Sequence, residues 1–220
     1  MANNSHPIIN FYFDVISQYS FIGFESILQY EKRLPAKINF IPFFLGATIV
    51  ETKNRPNIAC PAKLPYMKQD IQIASRYWGL TMKWPNNFEE RIFKLGSIKP
   101  QRFLTALKHE NPSFLVPAAR EFASRSWSFD LPIHKEENIR EVCSKLEIPD
   151  SEKLIEFSKS DEIKKEYQRA TEEAIESGAF GAPWIILKQH GKEDLKFWGS
   201  DRLPYICNEL GVEFKGPLKG

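Results

Sequence analysis

The sequence predicts an α/β protein with a long helical insertion, and three observations support this prediction. Apolar runs at 7–14 and 38–45 flank a helical pattern, which is typical of a strand, a helix and a second, parallel strand. From 64 to about 178 the chain shows helical periodicity. Two short apolar runs, WIILK and LKFWG, and an amphipathic segment then indicate a hairpin and a helix. The order βαβ–ββα is that of a thioredoxin-like fold.

The first unit is predicted from its apolar residues. PIINFYFD at 7–14 is rich in Ile and Phe, as a buried strand is. From Phe21 the apolar side chains follow helical spacing, and Ser17 or Ser20 is the expected N-cap. After the second strand we expect a loop over 47–63, because this segment has two prolines and no clear period.

The middle of the chain is predicted to be an all-helical insertion. Apolar residues recur at helical spacing from Leu64 to Trp78, and Gly79 is a plausible helix stop. The same spacing recurs in later segments at 100–108, 114–127, 139–146 and 163–175. We therefore divide the chain into a thioredoxin-like domain, 1–48 and 178–220, and a helical insertion domain, 49–177.

The last unit is predicted to be a hairpin and a helix. WIILK at 184–188 and LKFWG at 195–199 are separated by turn residues, which favours antiparallel strands. Ser200 is the expected N-cap of a final helix that ends at Gly211.

Composition excludes several classes of function. Lys and Arg number 30 against 28 Asp and Glu, so the formal charge is +2 and no basic field for nucleic acid exists. The 3 cysteines are scattered without CxxC and the 4 histidines show no ligand spacing, so we expect neither a disulfide scaffold nor a metal site. We expect a reducing compartment. No apolar run approaches the ~20 residues of a membrane span.

The termini carry no recognised address. MANNSHPII lacks the pattern of a secretory signal or a transit peptide, and GPLKG is not an S-K-L signal. An intracellular location is the expectation.

The candidate site lies where the first predicted strand ends and its helix begins. A helix start offers free N–H groups and a partial positive charge of ~0.5, which favour an anion such as a thiolate. The sequence there is Ser17-Gln18-Tyr19-Ser20, without cysteine, so disulfide exchange at this position is excluded. The hydroxyl of Ser17 can donate to the thiolate of a ligand. The alternative is that it only caps the helix.

Three further groups could hold a peptide-like ligand. Ala182 precedes Pro183, which favours extended backbone, makes a cis bond plausible and lets the backbone pair with a peptide. Ser200 and Asp201, at the expected helix start, could hold a carboxylate and an ammonium group. Two residues of the predicted loop could add a cation and an amide, namely Lys63 and Asn54. An ordinary loop or capping role is the alternative for each of them.

These segments resemble kappa-class glutathione transferases and the bacterial 2-hydroxychromene-2-carboxylate isomerases, both relatives of the oxidoreductase DsbA. FYFDVISQYSFIGFE is similar to their opening. The kappa likeness continues through NRPNIACPAKLPYMKQDI, GSIKPQRFLTAL, ESGAFGAPW and FWGSDRL, and it spans roughly 8–217. The resemblance implies a DsbA-like thioredoxin fold with a helical insertion, a homodimer, and glutathione as cosubstrate without a metal.

The resemblance also implies roles for individual residues. Ser17 stands at the place of the catalytic serine, which would hydrogen-bond the glutathione sulfur. Further glutathione contacts would come from Gln18, Tyr19, Asn54, Lys63, Ala182, Pro183, Ser200, Asp201 and Arg202. The chain departs from the family at Gln18, where proline is usual, and at Ala182, where a larger apolar residue is common. We expect Gln18 to loosen the turn before the helix.

The implied function is transfer of glutathione to small electrophiles, or reduction of peroxides, as in detoxification. Two alternatives stay open: a glutathione-dependent isomerase, in which glutathione adds and leaves again, and a non-catalytic glutathione-binding adaptor. The resemblance implies mitochondria as the location, with peroxisomes and the cytosol as alternatives.

Overall fold

A mixed four-stranded sheet organises residues 6–218, which are the residues that this computed structural model describes. The strands are β1 Ile8–Phe13, β2 Lys37–Pro42, β3 Trp184–Lys188 and β4 Leu195–Trp198, in the order β2-β1-β3-β4. β1 runs parallel to β2 and antiparallel to β3, and β3 pairs antiparallel with β4. This topology confirms the predicted thioredoxin-like fold and its hairpin.

The segment between β2 and β3 is helical, which confirms the predicted insertion. After α1 (Gln18–Tyr30), which connects β1 to β2, the inserted helices are α2 Leu45–Glu51, α3 Leu64–Tyr77, α4 Phe88–Glu90, α5 Ile98–Glu110, α6 Leu115–Trp127, α7 Glu136–Lys145, α8 Ser151–Phe157 and α9 Asp161–Glu176. Short 3₁₀ turns lie at Asn57–Ala59, Pro61–Lys63 and Pro112–Phe114, and a π turn lies at Arg91–Leu95. α10, Leu203–Glu209, closes the fold.

The prediction of a loop over 47–63 is wrong for 47–51, which are helical, and correct for 52–56, which form no helix or strand. α2 runs through Glu51, and two 3₁₀ turns follow it. The start of α2 is held from outside the segment, because the Leu45 N–H donates to the carboxylate of Asp14 at 3.2 Å. A tertiary contact of this kind leaves no periodic signal in the sequence.

The predicted start of the last helix is also wrong. α10 begins at Leu203, Arg202 occupies the N-cap position, and Ser200 lies in a turn before the helix. Pro204 stands in the first helical turn, where its missing N–H costs nothing. This proline, and not the serine, marks where the helix begins.

One continuous core joins the sheet, α1 and the insertion. Phe24 of α1 packs on Phe40 of β2 with ring centroids 4.5 Å apart, and Phe11 of β1 lies 5.6 Å from Phe40. Phe103 and Trp127 of the insertion are fully buried in the same cluster. The insertion therefore packs directly against the unit that carries the predicted site.

The predicted domains end outside the described part of the chain. The structure does not describe residues 1–5 and 219–220. The first and last residues of the predicted thioredoxin-like domain, and parts of the terminal segments MANNSHPII and GPLKG, fall in these ranges. Within 6–218, no helix combines the length and the apolar character that a membrane crossing requires.

Candidate functional site

A cavity of about 300 Å³ opens where β1 ends and α1 begins. This volume is at the lower end of the range of small-molecule sites. Six of the ten predicted ligand residues line it, namely Ser17, Gln18, Tyr19, Asn54, Lys63 and Ala182. Much of the remaining wall is apolar, with Leu45, Ile49, Met67, Phe88, Ile92, Phe180 and Trp198. The structure thus brings the predicted serine, one cation and one extended backbone segment around a single apolar space.

Ser17 is the N-cap of α1, which confirms one of the two caps predicted for this helix. Its Oγ accepts a hydrogen bond from the Ser20 N–H at 3.0 Å. The hydroxyl also donates towards the Ala182 carbonyl, at 3.5 Å. That second distance is long for an O–H donor. The cap uses a lone pair and leaves the proton weakly engaged, so both predicted roles of Ser17 are compatible.

Two buried side chains of the insertion fix the turn between β1 and α1. Gln101 of α5 donates from Nε2 to the carbonyl oxygens of Phe13, at 2.8 Å, and Phe43, at 3.0 Å. Its Oε1 accepts from the Val15 N–H at 3.4 Å. Trp127 donates from Nε1 to the Val15 carbonyl at 2.9 Å. The insertion thereby holds the ends of β1 and β2 at a fixed separation.

Asp14 is a fully buried carboxylate in the same turn. Its oxygens accept from the N–H groups of Ile16, at 3.1 Å, and Leu45, at 3.2 Å. Burial raises the pKa of Asp14 to about 6, although these hydrogen bonds and the nearby Ser97 hydroxyl favour the ionised form. At neutral pH the turn between β1 and α1 therefore contains a buried negative charge.

The sequence analysis missed Asp14, Gln101 and Trp127 as parts of the site. A charged residue at the end of an apolar run was the available signal for Asp14. Gln101 and Trp127 contact residues that are 88 and 112 positions away in the chain. No local pattern connects residues at such separations.

Tyr19 joins α1 to the insertion. Its hydroxyl donates to Asp70 of α3 at 2.9 Å. Burial raises the pKa of Tyr19 well above its ordinary value, and the hydrogen bond to Asp70 together with the charges of Asp70, Tyr66 and Asp201 raises it further. Tyr19 is therefore a neutral donor that holds α3 beside the cavity.

The loop after α2 supplies an amide and two cations to the cavity. The Asn54 side chain donates to the Phe180 carbonyl at 2.7 Å and accepts from the Arg55 N–H at 2.8 Å. Lys63 is exposed and donates to the Asn57 side chain at 3.3 Å. Arg55, which the sequence analysis missed, also lines the cavity. Within residues 6–218 neither Lys63 nor Arg55 forms an ion pair, so this edge carries uncompensated positive charge.

The Ala182–Pro183 peptide bond is cis, as predicted. Over the described chain, the Ala182 N–H takes part in no hydrogen bond. Gly181 lets the Trp198 ring approach, because a Cβ on this glycine would lie 2.7 Å from Trp198 Nε1. The backbone at Ala182 therefore faces the cavity beside the exposed edge of an indole, with its donor free.

Four predicted ligand residues do not line the cavity: Pro183, Ser200, Asp201 and Arg202. Arg202 donates from Nε to the Trp198 carbonyl at 3.1 Å and pairs with Asp201 at 3.1 Å. A Cβ on Gly23 of α1 would lie 3.2 Å from Pro183 Cγ and 3.3 Å from Ser200 Cα. These residues form the turn that adjoins the cavity. They do not present the helix start that was predicted at Ser200.

Gln18 is the first residue of α1, and its effect on the turn before the helix stays a prediction. The helix is formed from Gln18 onward, and the side chain is 6% exposed. Within the described residues its Nε2 has no hydrogen-bond partner. Burial of the glutamine side chain, and not the rigidity of a proline, holds this position.

The described residues hold no group of three or more His, Cys, Asp or Glu side chains arranged to bind a metal ion. Cys60, Cys143 and Cys207 are all free thiols. Burial raises the pKa of Cys143 to about 11 and raises that of Cys207. These two buried thiols are therefore poor nucleophiles at neutral pH.

The fold and the site define a DSBA-like thioredoxin domain, and the model of that family matches residues 8–211. Among curated proteins, glutathione S-transferase kappa 2 of Caenorhabditis elegans is 34% identical over 218 residues, which are 98% of this chain and 96% of the relative. Glutathione S-transferase kappa 1 of Homo sapiens is 28% identical, over 96% and 93% of the two chains. The chain therefore belongs to the kappa-class glutathione S-transferase family, as the resemblance indicated.

A solved structure gives the same fold. The 2-hydroxychromene-2-carboxylate isomerase superposes with a TM-score of 0.77 at 21% identity, over 93% of this chain and 94% of the other. A curated protein of that name, from Sphingobium xenophagum, is 23% identical over 92% of this chain and 97% of its own length. The DsbA-like thioredoxin fold with its helical insertion is thus confirmed.

Proposed function

We propose that the protein is a glutathione transferase in which the Ser17 hydroxyl stabilises the thiolate of bound glutathione. The observation that carries the proposal is the position of this hydroxyl. It caps α1, faces the cavity beside Ala182, and keeps a weakly engaged proton. A chain of the kappa-class family with this arrangement has the group that thiolate chemistry requires.

Thiolate stabilisation is the central physical step. A free thiol has a pKa of ~8.5, so it is mostly protonated at neutral pH. The Ser17 hydroxyl and the partial positive charge at the start of α1 both favour the anion. Each unit by which they lower the thiol pKa corresponds to ~1.4 kcal/mol.

The peptide part of glutathione would lie along the cis-proline loop. The free N–H of Ala182 and its carbonyl would pair with the tripeptide backbone as an added strand does. Lys63 and Arg55 would attract a carboxylate, and Asn54 would hold the loop that carries Arg55.

The γ-glutamyl end would lie at the turn that adjoins the cavity, with Ser200 donating to its carboxylate. Asp201 would receive its ammonium group. Asp201 already pairs with Arg202 at 3.1 Å. Because an exposed pair of this kind is worth about 1 kcal/mol or less, an ammonium group can compete for the carboxylate.

The apolar wall would hold the electrophile. The sulfur anion attacks an electrophilic carbon, a carbon–sulfur bond forms, and the leaving group departs with its electron pair. Stabilising the thiolate and holding both reactants together would supply the rate enhancement. Conjugation of this kind would serve detoxification.

The test is Ser17→Ala, assayed with glutathione and an aryl halide. We expect a higher pKa of the bound thiol and slower turnover at neutral pH. Ser20→Ala is the matched control. It removes a buried hydroxyl from the same helix and keeps the backbone N–H that donates to Ser17 Oγ. Thermal unfolding separates the loss of the cap from the loss of chemistry. Equal thiol pKa and equal turnover in both variants would remove Ser17 from the mechanism.

The same assay distinguishes the alternative functions. Transfer consumes glutathione, whereas isomerisation of a chromene-type substrate returns it unchanged. Peroxide reduction consumes two thiols, reduces the peroxide to an alcohol and water, and forms glutathione disulfide. An adaptor binds glutathione in calorimetry and turns over none of these substrates.

We also propose a homodimer and a mitochondrial location, both of which rest on the family resemblance. Light scattering tests the first, and a monomer at micromolar concentration would contradict it. Cell fractionation tests the second, with the cytosol and peroxisomes as the opposing outcomes.

A further inference from the structure

We infer that Asp14 is a positioning residue of the reaction, because its carboxylate holds the turn that carries Ser17 against the start of α2. The inference rests on the proposed function, since it concerns the hydroxyl that would contact the glutathione sulfur. Asp14 itself lines no part of the cavity. It would act only through Ser17.

The geometry places Asp14 between two walls of the cavity. Its carboxylate accepts from the Ile16 N–H, at 3.1 Å, on one wall and from the Leu45 N–H, at 3.2 Å, on the other. Its own carbonyl accepts from the Ser17 N–H at 2.9 Å. One residue thus sets the backbone of Ser17, the residue before it and the first residue of α2.

The surroundings of Asp14 make this arrangement depend on its charge. An ionised carboxylate only accepts hydrogen bonds, which suits two converging N–H donors. Within the described residues no Lys, Arg or His pairs with it. Tyr167 of α9 lies near enough for its pKa to respond: burial raises the pKa of Tyr167, the charge of Asp14 raises it further, and Arg102 of α5 lowers it. Burial also raises the pKa of Asp14 itself.

An unpaired buried carboxylate is a costly way to join two loops. An uncharged acceptor could hold one of these N–H groups at a lower desolvation cost. Side chains with such costs are concentrated at functional sites, where they hold reacting groups to within about 0.5 Å. A small shift of the turn would move Ser17 Oγ from its place at the start of α1.

The first variant is Asp14→Asn. An amide offers one acceptor oxygen and presents N–H groups to the second backbone donor, so only one of the two bonds survives. The matched control is Thr171→Val, because the Thr171 hydroxyl accepts from the Phe44 N–H at 2.9 Å and holds the same end of β2 without touching the turn.

The decisive experiment combines Asp14→Asn with Ser17→Ala in a double-mutant cycle. The measurement is the pKa of the bound glutathione thiol, from the ultraviolet absorption of the thiolate during a pH titration of each complex. We expect Asp14→Asn to raise this pKa by about 1 unit, a tenfold loss of thiolate below the pKa. In the Ser17→Ala background we expect no further rise. The value of kcat should fall with the thiolate fraction while KM changes less than twofold.

A second pair of variants covers the possibility that Asp14→Asn fails to fold. Leu45→Pro removes the N–H that donates to Asp14, at the first helical position, which tolerates proline. Leu45→Ala controls for the loss of the leucine side chain from the cavity wall. We expect Leu45→Pro, but not Leu45→Ala, to raise the bound thiol pKa.

The outcomes separate this inference from the proposed function. Equal effects of Asp14→Asn with and without Ser17, or an Asp14→Asn enzyme indistinguishable from Thr171→Val, would overturn the role of Asp14. If Ser17→Ala alone left the thiol pKa unchanged, the proposed role of Ser17 would fail first.

Discussion

The two ends of the proposed site are built in different ways. At the sulfur end, Ser17 is 8% exposed and stands on Asp14 and Gln101, which are both 0% exposed. At the peptide end, Lys63 and Asp201 are exposed side chains on turns. Buried hydrogen bonds define one geometry, whereas exposed charges are screened and adapt to a ligand. In the proposed site, the serine hydroxyl thus belongs to a buried, rigid end, and the proposed recognition groups belong to an exposed, adaptable end.

Gln101→Leu should break the rigid end with the largest effect on stability. The substitution leaves the carbonyl of Phe43 and the N–H of Val15 without partners in the core, while the carbonyl of Phe13 keeps only the Phe43 N–H, at 3.2 Å. Each unsatisfied buried group costs ~1–3 kcal/mol, so we expect the free energy of unfolding to fall by about 4 kcal/mol. Urea unfolding measures it. Gln72→Leu is the control, since Gln72 donates to only one carbonyl, that of Met82. An equal loss in both variants would contradict the special role of Gln101.

Asp14 should make the free energy of unfolding depend on pH. Its pKa rises from 3.8 to about 6 on folding, so the folded state retains the proton to higher pH than the unfolded chain. This contribution to stability is complete below pH 3.8 and is lost as the pH rises through about 6. The unfolding free energy of the wild type, minus that of Asp14→Asn, should fall by about 3 kcal/mol over this window. If this difference did not change with pH, burial would not raise the pKa of Asp14 in the folded protein.

Tyr19→Phe tests the contact between the rigid end and the insertion. The change removes the hydrogen bond to Asp70, at 2.9 Å, from a half-buried position. We expect a loss of about 1 kcal/mol in unfolding free energy. Tyr66→Phe, on the exposed face of the same helix as Asp70, should change stability by less than about 0.5 kcal/mol. Equal stability of the two variants would exclude a structural role for the Tyr19 hydroxyl.

Lys63→Ala tests the adaptable end with the smallest expected effect on stability. Lys63 is exposed and makes one hydrogen bond, at 3.3 Å, so the unfolding free energy should stay within about 0.5 kcal/mol of the wild type. Glutathione affinity should fall about fivefold, as for an exposed charge contact worth about 1 kcal/mol. Lys192→Ala, on the β3–β4 turn, is the control and should leave the affinity unchanged. High salt should reduce the difference between the two variants.

Local patterns were sufficient to predict the elements that depend on local physics. The apolar runs of β1 and β3, the helical spacing of α3 and the proline after Ala182 each need only neighbouring residues to be recognised. The start of α2 failed this test because Asp14, 31 positions earlier, caps it. The start of α10 was misplaced because Ser200 has the features of a cap, although Pro204 defines the helix.

The sequence by itself determined the order of strands and helices, the family, the serine that lines the cavity and the cis-proline next to the cavity residue Ala182. Only the tertiary structure decided what supports that serine. Gln101, Trp127 and Asp14 act through hydrogen bonds that join residues distant in the chain, or that span two walls of a cavity. The value of such bonds comes from burial, and burial is a property of the folded chain as a whole.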